Sequence, residues 1–149
     1  MTEDLHALID WSGLIIIELD ECYDLLLSQP VGRLGLIEGA EPLVLPVNYL
    51  VDGRSLVFRT GQGSKLSAAL MQHPVCLEID GWDDFDHTGW SVLVKGFADV
   101  VDEATEVARL DLLPTRPWSS PELRRQWIRV VPEEVTGRRI ATPAGPWFA

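Results

Sequence analysis

The sequence contains few cysteines and no long apolar run. Cys22 and Cys76 are the only cysteines, and neither belongs to a CxxC motif, so no disulfide framework is expected. We interpret both as small buried residues. No apolar run approaches the roughly 18 residues that a membrane-spanning helix needs, and the N-terminal residues lack the basic and apolar regions of a signal peptide. We therefore expect a cytoplasmic protein that does not enter a membrane.

Basic residues are also scarce. The 149 residues include 12 Lys and Arg against 23 Asp and Glu, which gives a formal net charge of −11. Such a charge repels nucleic acids and anionic membrane surfaces, so neither is expected as a partner. Arginines nevertheless cluster in the last third of the chain, at positions 116, 124, 125, 129, 138 and 139. We interpret this cluster as contacts to a small anion or an interface, with a solvated face as the alternative; for Arg138 and Arg139 we favour a surface role.

Short β-branched segments separated by turn residues fill most of the chain. Its length and 46 % hydrophobic content predict a single domain, residues 1–149, with an N-terminal arm at about 1–18. The pattern predicts six strands, at 31–37, 43–51, 55–60, 75–80, 90–101 and 126–131, and three short helices, at about 20–28, 65–72 and 102–112. Asp20 and Asp102 are expected to cap helices, and residues 81–89 to form a polar loop. Hairpin-linked strands of this kind predict a closed or nearly closed antiparallel barrel.

The segment Phe58–Lys65 carries the clearest chemical signal. A strand ends in Arg59 and Thr60, a glycine-rich loop follows, and a helix opens with Ser64 and Lys65. Arg59 can bind an oxoanion through two N–H groups and Lys65 adds a point charge, which together offset the roughly −2 charge of a phosphate monoester. The spacing is not that of a Walker loop. A plain strand-to-helix connection, whose glycines serve only the turn, is an equally good interpretation of this loop alone.

Two further segments could contact a planar ligand. Pro46 cannot donate to a sheet ladder, so its place inside the segment 43–51 predicts an edge or a break in pairing. Free backbone groups there could meet the polar rim of a heterocycle, although an edge proline that blocks aggregation explains the residue as well. Trp90, at the start of the strand 90–101, could stack on such a ligand while Ser91 reaches its rim; otherwise Trp90 is a large core residue.

Taken in order, these segments resemble the pyridoxamine 5′-phosphate oxidase-like family of FMN-binding proteins, over about residues 19–140. The runs that carry the resemblance include Gly32–Gly35, Val44–Tyr49, Leu56–Gly61, Val75–Asp80 and Trp90–Gly96. The resemblance implies a mainly β fold with short helices, namely a six-stranded antiparallel split β-barrel of Greek-key type. It also implies a homodimer with FMN at the subunit interface, and hydride transfer between the flavin and a small-molecule substrate.

The resemblance assigns roles to individual residues. The phosphate of the flavin is expected to contact Arg59, Thr60, Gly63, Ser64 and Lys65. The isoalloxazine ring is expected to lie along Leu45, Pro46, Val47 and Asn48. Trp90 and Ser91 are expected to contact the cofactor near the dimer interface. The substrate motif of the vitamin-forming oxidase is absent, since the corresponding segment reads Gly137-Arg-Arg-Ile, so pyridoxamine phosphate is not predicted as the substrate.

The residues themselves indicate no catalytic group. In hydride transfer the flavin does the chemistry, and the protein supplies position and electrostatics. His6, His73 and His87 lie far apart in the sequence, and we interpret His87 and its acidic neighbours as a solvated loop rather than a metal site. Three alternatives remain open at this point: a deazaflavin-dependent reductase, a protein that stores flavin without turnover, and a haem-binding relative.

Overall fold

The computed structural model describes residues 8–61, 64–114 and 126–140. Within these ranges the chain forms seven strands and three helices. The strands are β1 (Ile15–Ile17), β2 (Val31–Glu38), β3 (Glu41–Asp52), β4 (Ser55–Thr60), β5 (Val75–Asp83), β6 (Thr88–Val101) and β7 (Gln126–Arg139). The helices are α1 (Leu19–Leu27), α2 (Lys65–Leu70) and α3 (Ala104–Asp111). No helix in the described ranges is both long enough and apolar enough to cross a membrane.

Six of the strands close into an antiparallel barrel, as the sequence predicts. Their order is β7-β4-β3-β2-β5-β6, and β6 pairs again with β7 to complete the ring. β7 pairs with β6 along almost its whole length. Its other edge is shared, because β4 pairs with residues 126–130 and β1 with residues 137–139. The described part of the N-terminal arm is therefore an additional strand on the barrel of its own chain.

The barrel interior is filled by alternate side chains of the strands. Buried apolar residues come from every strand of the ring, among them Leu34, Tyr49, Phe58, Leu77, Val92 and Ile128. The helices contribute to the same core, since Leu26 of α1 and Leu70 of α2 are also fully buried. This alternation is the pattern of strands that bury one face.

The predicted loop at residues 81–89 is largely a hairpin. β5 continues to Asp83 and β6 starts at Thr88, and the left-handed φ of 52° at His87 lies in the turn between them. Each of two tryptophans here lies opposite a glycine on the facing strand. A Cβ at Gly81 would come within 2.5 Å of the Trp90 ring. These glycines indicated a loop in the sequence. In the structure they leave the space that the two tryptophan rings occupy across the sheet.

The last strand is also longer than predicted. β7 continues through Pro132 to Arg139 because a β-bulge accommodates the proline. Gly96 lies opposite Pro132 while Lys95 lies opposite Glu134, so one residue of β7 is left over, as in a bulge. A Cβ at Gly96 would come within 2.0 Å of the Val131 carbonyl oxygen, so the two backbones can approach only at a glycine.

The predicted helix caps are each displaced. α1 is preceded by Glu18 rather than Asp20, because β1 leads into the helix with only Glu18 between them. α3 is capped by Glu103 rather than Asp102, and its carboxylate accepts from the backbone N–H groups of Thr105 and Glu106. The longer glutamate side chain reaches back to the first turn, so the residue next to the helix takes the capping role.

Candidate functional site

The barrel opens between β3 and β4. Pairing of these two strands extends from Asp52↔Ser55 only to Tyr49↔Phe58. β4 pairs with β7 from Leu56 to Thr60, so Arg59 and Thr60 keep this pairing on one edge after the pairing with β3 has ended on the other. On the other side of the opening, residues 41–48 of β3 pair with β2, and no described strand covers their second edge. Pro46 lies within this edge segment, as its missing N–H predicts.

Two buried polar atoms lie beside this opening without a partner. Thr60 is only 4 % exposed, and its Oγ1 has no hydrogen-bond partner among the described residues. The same holds for Nε of Arg59, the residue before it. Leaving a buried polar group unpaired costs roughly 1–3 kcal/mol, so each such atom calls for an explanation. Both belong to the predicted phosphate site, and both can donate to an oxoanion.

The remaining contacts of Arg59 hold its guanidinium in one place. The group lies over the Trp127 ring, with Cζ 4.3 Å from the ring centroid. Its Nη2 donates to Oδ1 of Asp111, the last residue of α3, at 3.4 Å. The same Oδ1 accepts from the Trp127 indole N–H at 2.8 Å. Nothing in the local sequence links Asp111 or Trp127 to Arg59, so sequence reasoning missed both.

Ser64 and Lys65 lie at the start of α2. Ser64 caps the helix, because its Oγ accepts from the Ser67 backbone N–H at 3.1 Å, and its hydroxyl proton can still be donated to a ligand. Lys65 is exposed. Ser67 joins the helix to the barrel through a 2.6 Å hydrogen bond to Gln126, the residue opposite Thr60. The predicted contact Gly63 lies outside the described residues.

Trp90 and Ser91 line a separate cavity of about 310 Å³. They lie opposite Arg139 and Arg138 on β7, respectively, and these arginines line the cavity as well. Arg138 donates to Asp10 at 2.9 Å. Hydrogen bonds from Ser12 first, together with those from Leu14 and Arg138, lower the pKa of Asp10 to about 2 despite partial desolvation. Both arginine side chains are 35 % exposed and each pairs with a carboxylate, Arg138 with Asp10 and Arg139 with Glu21, so the surface role stays a prediction.

A third group lies on the outer face of the barrel next to Pro46. Arg33 of β2 donates to Glu78 at 3.1 Å and to Asp80 at 3.0 Å. Burial, then the neighbouring Asp80, raises the pKa of Glu78 against the opposing effect of Arg33. Asp80, Arg33 and Pro46 border one cleft of about 530 Å³. The alternation of Glu78 and Asp80 on one strand could have indicated this pair, but their partner on β2 could not be read from the sequence.

The predicted site residues thus form two separate groups within one chain. Arg59 lies opposite Trp127 near the start of β7, and Trp90 lies opposite Arg139 at its end. The two groups therefore pair with opposite ends of β7. Within the described ranges, no cluster of three His, Cys, Asp or Glu side chains could hold a metal ion.

Comparisons with known proteins place this geometry in context. The family model described as pyridoxamine 5′-phosphate oxidase matches residues 18–139. The uncharacterized protein Rv0080 of Mycobacterium tuberculosis is 38 % identical over 133 residues, which cover 84 % of this chain and 86 % of that protein. A Corynebacterium glutamicum structure named after the same oxidase aligns with a TM-score of 0.78 and 31 % identity, covering 88 % of this chain and 96 % of that one. The FAD binding protein from Mycobacterium smegmatis aligns with a TM-score of 0.73 and 34 % identity, covering 84 % and 97 %.

Proposed function

The chain belongs to the pyridoxamine 5′-phosphate oxidase family, and we propose that it is a flavin-dependent oxidoreductase that holds FMN between two copies of itself. The carrying observation is a pair of buried donors, Arg59 Nε and Thr60 Oγ1, that have no partner in the part of the chain that the structure describes. The two side chains lie on opposite faces of β4, so separate oxygens of a phosphate at the end of this strand would accept from them. Hydrogen bonds to a charged group contribute roughly 1.5–3 kcal/mol each, and the positive charges of Arg59 and Lys65 would balance a phosphate monoester.

The ring system of the flavin fits the open edge of β3. Residues 45–48 present backbone N–H and C=O groups on an edge that no described strand covers. The isoalloxazine rim carries both acceptors and donors, so a strand edge can bind it in one orientation. The phosphate-binding residues Arg59 and Thr60 follow directly from the point where β4 leaves β3. Both halves of a flavin mononucleotide can therefore be bound at one opening of the barrel.

A second copy of the chain would complete the site. Trp90 and Ser91 pair with the opposite end of β7 from Arg59. In a homodimer the same residues of the partner could cover the ring. The outer face beside Pro46 supports this arrangement, because Val44 is 68 % exposed there and lines the same cleft as Pro46. Exposed apolar groups at a sheet edge favour burial against another protein surface.

The residues of this site would bind and orient rather than react. When bound, a flavin supplies hydride transfer. Arg59, Thr60 and Lys65 would anchor the phosphate, and the edge of β3 would fix the orientation of the ring. An indole from Trp90 would exclude water from one side of the ring, which protects a hydride from competing reactions. The substrate would approach the remaining side of the ring.

The first test is the visible absorption spectrum of the purified protein, before and after addition of FMN, FAD or riboflavin and dialysis. We expect a retained two-band flavin spectrum with a shifted maximum, and tighter retention of FMN than of FAD, for which the mycobacterial relative is named. Loss of every flavin on dialysis, or retention of a deazaflavin or a Soret band instead, would overturn the cofactor assignment. Preferential retention of FAD would leave a flavoprotein but refute FMN.

Two further measurements test the remaining parts of the proposal. Light scattering coupled to size exclusion should give twice the 16.6 kDa chain mass for the flavin-bound protein, and a flavin-bound monomer would refute the shared site. Anaerobic mixing with reduced nicotinamide nucleotides or other donors should bleach the flavin faster than in free FMN. A protein that binds FMN tightly but never accelerates its reduction would be a storage protein rather than an oxidoreductase.

A further inference from the structure

Asp111 connects two residues that meet at the proposed phosphate site. Its Oδ1 accepts both from the Trp127 indole N–H, at 2.8 Å, and from Arg59 Nη2, at 3.4 Å. Trp127 is 1 % exposed, so its ring position is set by the core. Asp111 is itself half exposed and ends α3. One carboxylate oxygen therefore joins three elements, α3, β4 and β7, around a single guanidinium.

These contacts leave two nitrogens of the guanidinium, Nε and Nη1, without a partner among the described residues. One face of the planar group lies on the Trp127 ring, and Nη2 is directed to Asp111. Nε is buried and has no hydrogen-bond partner within residues 8–61, 64–114 and 126–140. A guanidinium can rotate about the bonds of its long side chain, and holding it costs conformational entropy. With the ring beneath it and the carboxylate beside it, Arg59 has that orientation fixed before any ligand arrives.

We propose that Asp111 is a positioning residue of the phosphate site, which holds Arg59 on Trp127 so that the remaining N–H groups of its guanidinium can donate to the phosphate of the flavin. This inference rests on the proposed function. The position of Asp111 also affects the electrostatics of FMN binding. A carboxylate beside an anion site weakens anion binding by repulsion, so removal of the charge alone should strengthen the binding of FMN. Removal of the hydrogen-bond acceptor should weaken it.

Two substitutions separate these effects. Asp111→Asn keeps an acceptor oxygen for Trp127 and Arg59 but removes the charge, and its amide N–H₂ can point to solvent because the side chain is half exposed. We expect this variant to bind FMN at least as tightly as the wild type. Asp111→Ala removes the acceptor as well, and we expect it to bind FMN about tenfold more weakly, as for loss of one oriented charge-assisted hydrogen bond.

Riboflavin lacks the phosphate, so the ratio of FMN affinity to riboflavin affinity reports on the phosphate site. A purely structural role of Asp111 would not change this ratio. Titrations by flavin fluorescence quenching should show that Asp111→Ala lowers FMN affinity and leaves riboflavin affinity unchanged. Asp84→Ala is a matched control, because Asp84 accepts from the Trp82 indole at 2.6 Å on the β5–β6 hairpin, away from Arg59. Its ratio of FMN to riboflavin affinity should equal that of the wild type. In an Arg59→Ala background, Asp111→Ala should not weaken FMN binding further.

The outcomes distinguish this inference from the proposed function. A wild type that binds FMN and riboflavin equally well refutes the phosphate site itself, and with it the role of Asp111. A wild type that prefers FMN, combined with an Asp111→Ala variant that keeps the full preference, refutes the positioning role alone. An equal loss of FMN and riboflavin affinity in Asp111→Ala would also overturn it, since the effect would then not act through the phosphate.

Discussion

Thr60 allows a test in which the stability of the protein and its affinity for FMN change in opposite directions. Its hydroxyl is buried and lacks a partner among the described residues. Valine has nearly the same shape and a high preference for strands, so Thr60→Val removes the unpaired polar group without creating a cavity. Because an unsatisfied buried group costs roughly 1–3 kcal/mol, the flavin-free variant should be more stable than the wild type by about 1 kcal/mol.

The size of this effect is measurable by thermal unfolding. At about 2.1 cal/mol/K of unfolding entropy per residue, a gain of about 1 kcal/mol raises the Tm of a chain this long by roughly 3 °C. The same variant should bind FMN more weakly by about 1–3 kcal/mol, because a donor to the phosphate is lost. In the presence of saturating FMN, the Tm advantage of the variant should therefore shrink or reverse.

Controls make the reasoning refutable. Thr60→Ser keeps the hydroxyl and should retain FMN affinity, while losing some stability because a buried methyl group is removed. A flavin-free Thr60→Val protein that is less stable than the wild type would show that the hydroxyl has a partner in the native protein. A stabilised variant with unchanged FMN affinity would show that Thr60 is buried for structural reasons only, and would remove it from the site.

Three further predictions follow from named contacts. Arg59→Ala and Lys65→Ala should each weaken FMN binding by about 1.5–3 kcal/mol, with the smaller loss at the exposed lysine; unchanged calorimetric affinity in both would refute the phosphate assignment. Two arginines bind Asp52 and lower its pKa to about 2. The stability that this ionised carboxylate adds to the folded protein is therefore complete above a pH of about 4 and is lost as the pH falls toward 2. In urea unfolding at pH 7, Asp52→Asn should lower the free energy of unfolding by roughly 1.5–3 kcal/mol, and it should weaken the loss of stability at acid pH. An unaltered loss of stability at acid pH would show that Asp52 is not the group responsible. Gly96→Ala would place a Cβ 2.0 Å from a carbonyl oxygen and should cost more than about 3 kcal/mol; a Tm near that of the wild type would contradict the tight bulge.

Much of the barrel could be predicted because its strands obey local rules. Alternating β-branched residues and the Asp52-Gly53 turn fixed where β3 and β4 lie, and the left-handed φ of 62° at Gly53 confirms the turn. The sequence predictions were wrong where a glycine or proline taken alone indicates the end of a strand, but the facing strand accommodates it in the structure. Gly81 and Gly89 indicated a loop, but each faces a tryptophan across a hairpin. Pro132 indicated the end of a strand, but a bulge absorbs it.

The sequence by itself determined the elements and the local cluster of Arg59, Thr60, Ser64 and Lys65, because those residues are neighbours along the chain. Only the tertiary structure decided which partners these residues have. It left Arg59 Nε and Thr60 Oγ1 without partners among the described residues, brought Asp111 and Trp127 to Arg59, and paired Trp90 with the opposite end of β7. The physical reason is that hydrogen bonds and burial at a site depend on residues distant in sequence, whose approach is set by strand register and barrel closure.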